Sequence, residues 1–192
     1  MSAAKARLIP LGALLLSLIL SEPPSILLMA AGAITLHELG HTLAFFLLTG
    51  VLPSLSLDRF GLRLTSARPL LPREELWVAL GGPLFNLLFG ILFCKAGGDF
   101  FFSLGVMHFL FALFNLLPYE DSDGGRVFRL LFLRLLGRKR GRAASVLLSA
   151  LVLAFFYFLS LYVFYFTGEG LSGVFFAIFS FPWHHLEQTS DF

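Results

Sequence analysis

The chain is 192 residues long, 57% hydrophobic and only 14% charged, with a mean hydropathy of +0.85. A soluble domain carries about 25% charged residues, so this composition excludes an ordinary water-soluble globule and points to an all-α polytopic membrane protein. The net charge of +2 gives no reason to expect a nucleic-acid partner, and the lone Cys94 excludes a disulfide framework or a cysteine-rich metal site.

A spanning helix needs about 20 mostly apolar residues, and the sequence offers about six candidates. The first, near Leu8 to Ser21, follows Lys5 and Arg7 and lacks a small-residue cleavage site, so it reads as a helix rather than a removed leader. Pro23 and Pro24 then open a second segment, from about Ser25 to Thr49. Between it and the third, "SLSLDRFGLRLTS" (54 to 66) alternates apolar and polar residues around a central turn, the pattern of a short membrane-associated β-hairpin. The third segment runs from about Glu74 to Lys95. The fourth begins near Phe100, breaks at Pro118 into "YEDSDGGR", and resumes as "VFRLLFLRLL". A fifth covers Ala143 to Thr167. The sixth, Leu171 to Phe181, is short enough either to span with distortion or to lie in the interface.

Lysines and arginines gather at the N-terminus, in the 59–73 loop and in "GRKRGR" (137 to 142), while the intervening turns are nearly free of them. Alternate threading puts every basic cluster on one side, so the N-terminus is expected in the cytoplasm, with Trp77 near an interface. The amphipathic 126 to 142 stretch is expected to rest on anionic headgroups.

Ionisable residues at membrane depth are costly and mark function. His37-Glu38-Leu39-Gly40-His41 has the H-E-x-x-H form: side chains four apart share a helix face, so both imidazoles can reach one ion with Glu38 beside it. A catalytic zinc takes three protein ligands and leaves a place for water, whose proton the glutamate can collect. The third ligand is expected at the break in the fourth segment, where "NLLPYEDSDGG" holds Asn115, Glu120, Asp121 and Asp123; irregular backbone at that depth is tolerated only when buried or lining a cavity. Asp121 competes with Asp123 for that place. His108 has no partner at metal spacing and reads as a satisfied core histidine; His184 and His185 read as solvated.

H-E-L-G-H followed by N-x-x-P-x-x-x-x-D-G, with "GGPLFN" (81 to 86) between them, resembles the site-2 protease family of intramembrane zinc metalloproteases over residues 25 to 135. The resemblance implies a three-helix catalytic core, one zinc held by His37, His41 and Asp123, and Glu38 as general base. It leaves Gly82 and Asn86 as a close-packing pair or as substrate contacts, and Asn115 as a cap or a site-lining residue. Two positions depart from the usual pattern: Glu120 stands where many members have a second proline, and Ser122 where they have leucine. The implied activity is regulated cleavage of a membrane-embedded or membrane-adjacent segment of a regulatory protein, in a multi-pass protein of a bacterial cell membrane. The hairpin either receives the substrate as an added strand or is a plain connector. One transmembrane domain is expected over 1–192, without a PDZ or CBS domain, together with a gating membrane partner or homo-oligomer. The alternative is a metal transporter or sensor that uses the same ligands without hydrolysis; ligands gathered at one depth argue against a transport path.

Overall fold

The computed structural model describes residues 23–58, 61–65, 69–119 and 122–167. The first and sixth apolar segments, His184 and His185, and the acidic pair Glu120 and Asp121 lie outside them. Two compact units divide the chain, Met1–Phe114 and Asn115–Phe192.

In the first unit, α1 spans Pro24–Thr49. Pro24 suits its first turn because that N–H has no helical partner anyway. The helix stops at Gly50, whose φ of 72° puts it in the left-handed region while its N–H donates to the Phe46 carbonyl at 2.8 Å. Strands β1 (Ser54–Asp58) and β2 (Gly61–Thr65) pair antiparallel, from Ser54 opposite Thr65 to Asp58 opposite Gly61. Helix α2 (Pro72–Ala96) starts on another proline, and the Glu74 carboxylate accepts the Leu71 N–H at 2.9 Å. Helix α3 spans Asp99–Leu116.

These helices pack through small residues and aromatic rings. Where α1 meets α2, a Cβ on Gly40 would lie 2.5 Å from the Gly81 carbonyl oxygen, and one on Gly81 would lie 2.7 Å from that of Gly40. Backbone therefore lies on backbone, the contact that small residues make possible between membrane helices. Between α2 and α3, Gly90 lies under the Phe109 ring and Gly105 against Cys94, while Phe93 stacks on Phe101 with 6.2 Å between centroids.

The second unit holds a short irregular stretch and α4 (Asp123–Thr167), two helical arms joined at Gly137, where φ is 77° and ψ 176°. The later arm returns close to the earlier one: Gly141 lies against the Phe132 backbone with no room for a side chain. The break falls where the resumed fourth segment was expected to give way to the fifth.

All four helices are long and apolar enough to cross a membrane. Large apolar side chains such as Leu28, Leu47, Phe102, Phe158 and Phe166 face outward over half or more of their surface. Continuous outward apolar surface on this scale belongs in a bilayer rather than in water. This is a polytopic membrane protein.

The Gly40–Gly81 contact can be tested by overfilling it. Alanine in a helix gains about 1 kcal/mol over glycine from propensity alone, whereas forcing an extra carbon into a closed contact costs about 1–3 kcal/mol. Gly81→Ala is therefore expected to lower the unfolding temperature in detergent, measured by circular dichroism, and an unchanged or raised value would show that the two helices do not meet as described.

Candidate metal centre

His37 and His41 lie one turn apart on the buried face of α1, only 4% and 7% exposed. Their rings meet edge to face, centroids 4.7 Å apart, and their Nε2 atoms are 3.1 Å from each other. Two bare lone pairs at that distance repel, so something positive must sit between them: a proton on one, or a cation shared by both. Zinc takes imidazole nitrogen at about 2.0–2.1 Å in a tetrahedral site, which separates two such ligands by about 3.3 Å. The observed spacing is close to that without rearrangement.

Each ring is also held from behind. The Nδ1 of His41 lies 2.7 Å from the Val78 carbonyl and 3.3 Å from the Gly82 backbone nitrogen, so α2 holds this ring from behind. A histidine ligand ordinarily gives its other N–H to such an acceptor, fixing both tautomer and ring orientation. The Val78 carbonyl lies on α2 just before Gly81-Gly82-Pro83, and Pro83 has no N–H with which to continue the helical ladder there. The Nδ1 of His37 lies 3.2 Å from the amide nitrogen of Asn86, which is fully buried.

Gly82 faces both rings. A Cβ there would stand 2.5 Å from His41 Nε2 and 2.8 Å from His37 Nε2, too close for the rings to keep their places. Gly82 and Asn86 thus both lie against the imidazoles. Glu38 is half-buried beside the pair, and Asn115 lies half-buried in the last turn of α3.

Asp123 is the first residue of α4, where the partial positive charge of the helix start favours a carboxylate. Ser122 caps that helix: its hydroxyl oxygen accepts the Gly125 N–H at 2.8 Å, and the Leu117 and Tyr119 carbonyls lie within its donating reach. Gly124 lies against the carbonyls of Leu116 and Leu117, where a side chain would not fit. His37 and His41, both in the first unit, offer two nitrogen donors of the kind a metal ion takes.

No protein-family profile matches the sequence, and no characterised protein matches it by sequence comparison. A structural match is found with the site-2 protease from Methanocaldococcus jannaschii, with a TM-score of 0.59 over 91% of this chain and 84% of that one at 19% identity. The chain has the site-2 protease fold.

Within that fold, three features escape a reading of the sequence. Ser122 is not merely a departure from a leucine pattern, because it caps the helix that begins at Asp123. His108 is in the core, as expected, but only half satisfied: its Nδ1 lies 3.0 Å from the Asn86 amide oxygen, while its Nε2 is buried without a hydrogen-bond partner. The Val78 carbonyl is backbone and carries no sequence signal, although the proline five residues later marks a helix whose ladder is interrupted.

Adding one carbon at Gly82 tests the centre. Gly82→Ala is expected to push the two imidazoles apart and weaken zinc binding at least about tenfold, the range seen when a ligand's supporting contacts are lost. Competition against a fluorescent chelator measures this, and unaltered affinity would show that the ion does not lie where Gly82 faces.

Proposed function

We propose that this protein is an intramembrane zinc metalloendopeptidase that cleaves a membrane-embedded or membrane-adjacent segment of a regulatory protein. His37, His41 and Asp123 are the metal ligands and Glu38 is the general base. The observation that carries the reading is the Nε2–Nε2 spacing of 3.1 Å at a pair whose backs are held by Val78 and Asn86. With Asp123 as the third ligand, the donor set would be the imidazole and carboxylate kind that zinc takes in hydrolases.

When bound, zinc would acidify a coordinated water and polarise the scissile carbonyl. Glu38, one residue beyond the first ligand on α1, takes a proton from the attacking water and returns it to the departing amine, so its carboxylate is regenerated each cycle. Val78 and Asn86 keep the two ligand rings from turning away. Asn115, near the end of α3, would meet substrate backbone. The surrounding apolar helices exclude bulk water, which strengthens every charge interaction in the centre. A helical substrate hides its peptide bonds within its own ladder and must be taken extended; strand addition to the β1–β2 hairpin would present it so. The basic stretches mark the cytoplasmic face, and anionic lipid and a membrane partner complete the setting.

The competing reading is a metal transporter or sensor. It shares the ligands but has no use for Glu38, and this separates the two.

Glu38→Gln is expected to keep zinc at wild-type stoichiometry and to lose at least about a hundredfold in cleavage, the lower end of what a general base supplies. The assay mixes proteoliposomes of either form with the membrane-protein fraction of the native cells and maps new N-termini by mass spectrometry. New termini clustered in or beside transmembrane segments, seen with wild type alone, support the reading. Identical termini with both forms reject Glu38 as base, and zinc flux into the vesicles would instead favour transport.

A further inference from the structure

The backbone leading into α4 is irregular, so its polar groups need partners that no helical ladder supplies. Ser122 meets several of them. Its hydroxyl faces the carbonyls of Leu117 and Tyr119, the second at 2.7 Å, and accepts the Gly125 N–H at 2.8 Å. Its backbone N–H donates to the Tyr119 carbonyl at 3.1 Å, and its own carbonyl accepts the first helical bond, from the Arg126 N–H at 3.0 Å. The residue is buried, only 4% exposed.

A serine hydroxyl has one proton to give and lone pairs to receive. It donates to one of the two carbonyls while it accepts from Gly125, so one side chain ties the chain before the helix to the helix's first turn. Between those two ties stands Asp123. Gly124 closes the same corner, because a Cβ there would run into the Leu116 and Leu117 carbonyls. The direction in which a side chain leaves the backbone follows from the dihedrals of its own residue, and at a helix start the cap fixes these. A leucine at 122, the residue that the sequence pattern leads one to expect, could bond to none of these groups.

We infer that Ser122 is a positioning residue for Asp123: by bonding the backbone on both sides of that residue, its hydroxyl sets where the carboxylate is offered to a metal ion. This task is separate from the holding of the two histidines, which falls to Val78 and Asn86 in the first unit. The inference rests on the function proposed above, with Asp123 as third ligand.

The test uses the full chain in detergent and three single variants. Ser122→Ala removes the hydroxyl, Ser122→Thr keeps it, and Asp123→Asn removes the ligand. Chelator competition reads zinc affinity, the visible absorption of cobalt(II) in place of zinc reads the geometry at the ion, and hydrogen exchange at the Gly125 amide without metal reads the cap. Ser122→Ala is expected to weaken zinc binding about tenfold, the lower end for loss of a ligand's support. It should also dim the cobalt band and speed exchange at Gly125, while Ser122→Thr stays near wild type in all three. The double variant Ser122→Ala with Asp123→Asn should bind no more weakly than Asp123→Asn alone, because the hydroxyl then has no ligand to position. Additive losses would mark a merely structural serine and overturn the inference. So would a Ser122→Ala protein with the affinity and cobalt spectrum of the wild type. An unprotected Gly125 amide in the wild type overturns it with no variant needed. A chain that binds no zinc removes the protease reading and this inference together, whereas affinity that depends on Asp123 but ignores Ser122 removes this inference alone.

Discussion

Two imidazole nitrogens pointing at each other across 3.1 Å inside an apolar bundle are the constraint on which the first unit depends. In water, solvent would relax such a pair at little cost. In a medium of low effective dielectric, an unpaired polar group is expensive, so the rings stay opposed only because their other nitrogens are engaged. Val78 holds one and Asn86 the other. The pair is therefore built from its outside inward: a backbone carbonyl and an amide hold the two rings against each other.

That arrangement requires α1 and α2 to approach more closely than ordinary side chains allow. Gly40 lies between the two histidines in sequence and meets Gly81 backbone to backbone, while Gly82 clears the space in front of both Nε2 atoms. One short glycine run thus makes two separate contacts, one with the α1 backbone and one with the two imidazoles. Pro83 follows at once and interrupts the helical ladder within a turn of the carbonyl that holds His41. The carbonyl so deprived of its donor is that of Ala79, next to Val78, and it is covered by protein.

What could be read from the sequence follows from which contacts are local. His37 and His41 share a face because the helical repeat makes them do so, and proline and glycine marked the starts and stops of α1 and α2. The apolar runs likewise announced the four long helices. Asn86 and His108 illustrate the opposite case. The spacing of Asn86 from Gly82 indicates a shared face, but nothing local states that its amide joins a ligand to a histidine on α3. His108 could be placed in the core from its surroundings of phenylalanine, yet its unmatched Nε2 arises from three-dimensional packing. Ser122 was legible only as an exception to a pattern, since a cap becomes visible when the helix start is known.

The remaining polar groups of α1 explain why these contacts can dictate packing. Thr35, Thr42 and Thr49 each turn the hydroxyl back onto the carbonyl four residues earlier, at 2.8, 2.9 and 2.8 Å. A hydroxyl satisfied within its own helix places no demand on a neighbour. The histidines cannot do this, because an imidazole is too rigid to fold back onto the carbonyl one turn earlier. They must find partners on α2, and through Asn86 on α3. Apolar side chains that face lipid supply little to choose one helix register over another, since lipid is as good a partner as protein. Register in this unit is therefore set chiefly by the few groups whose hydrogen bonds have to cross between helices. The same residues that suit the centre to a metal also select how the bundle packs, so a substitution among them is expected to alter structure and chemistry together unless the replacement can still accept and donate in the same places.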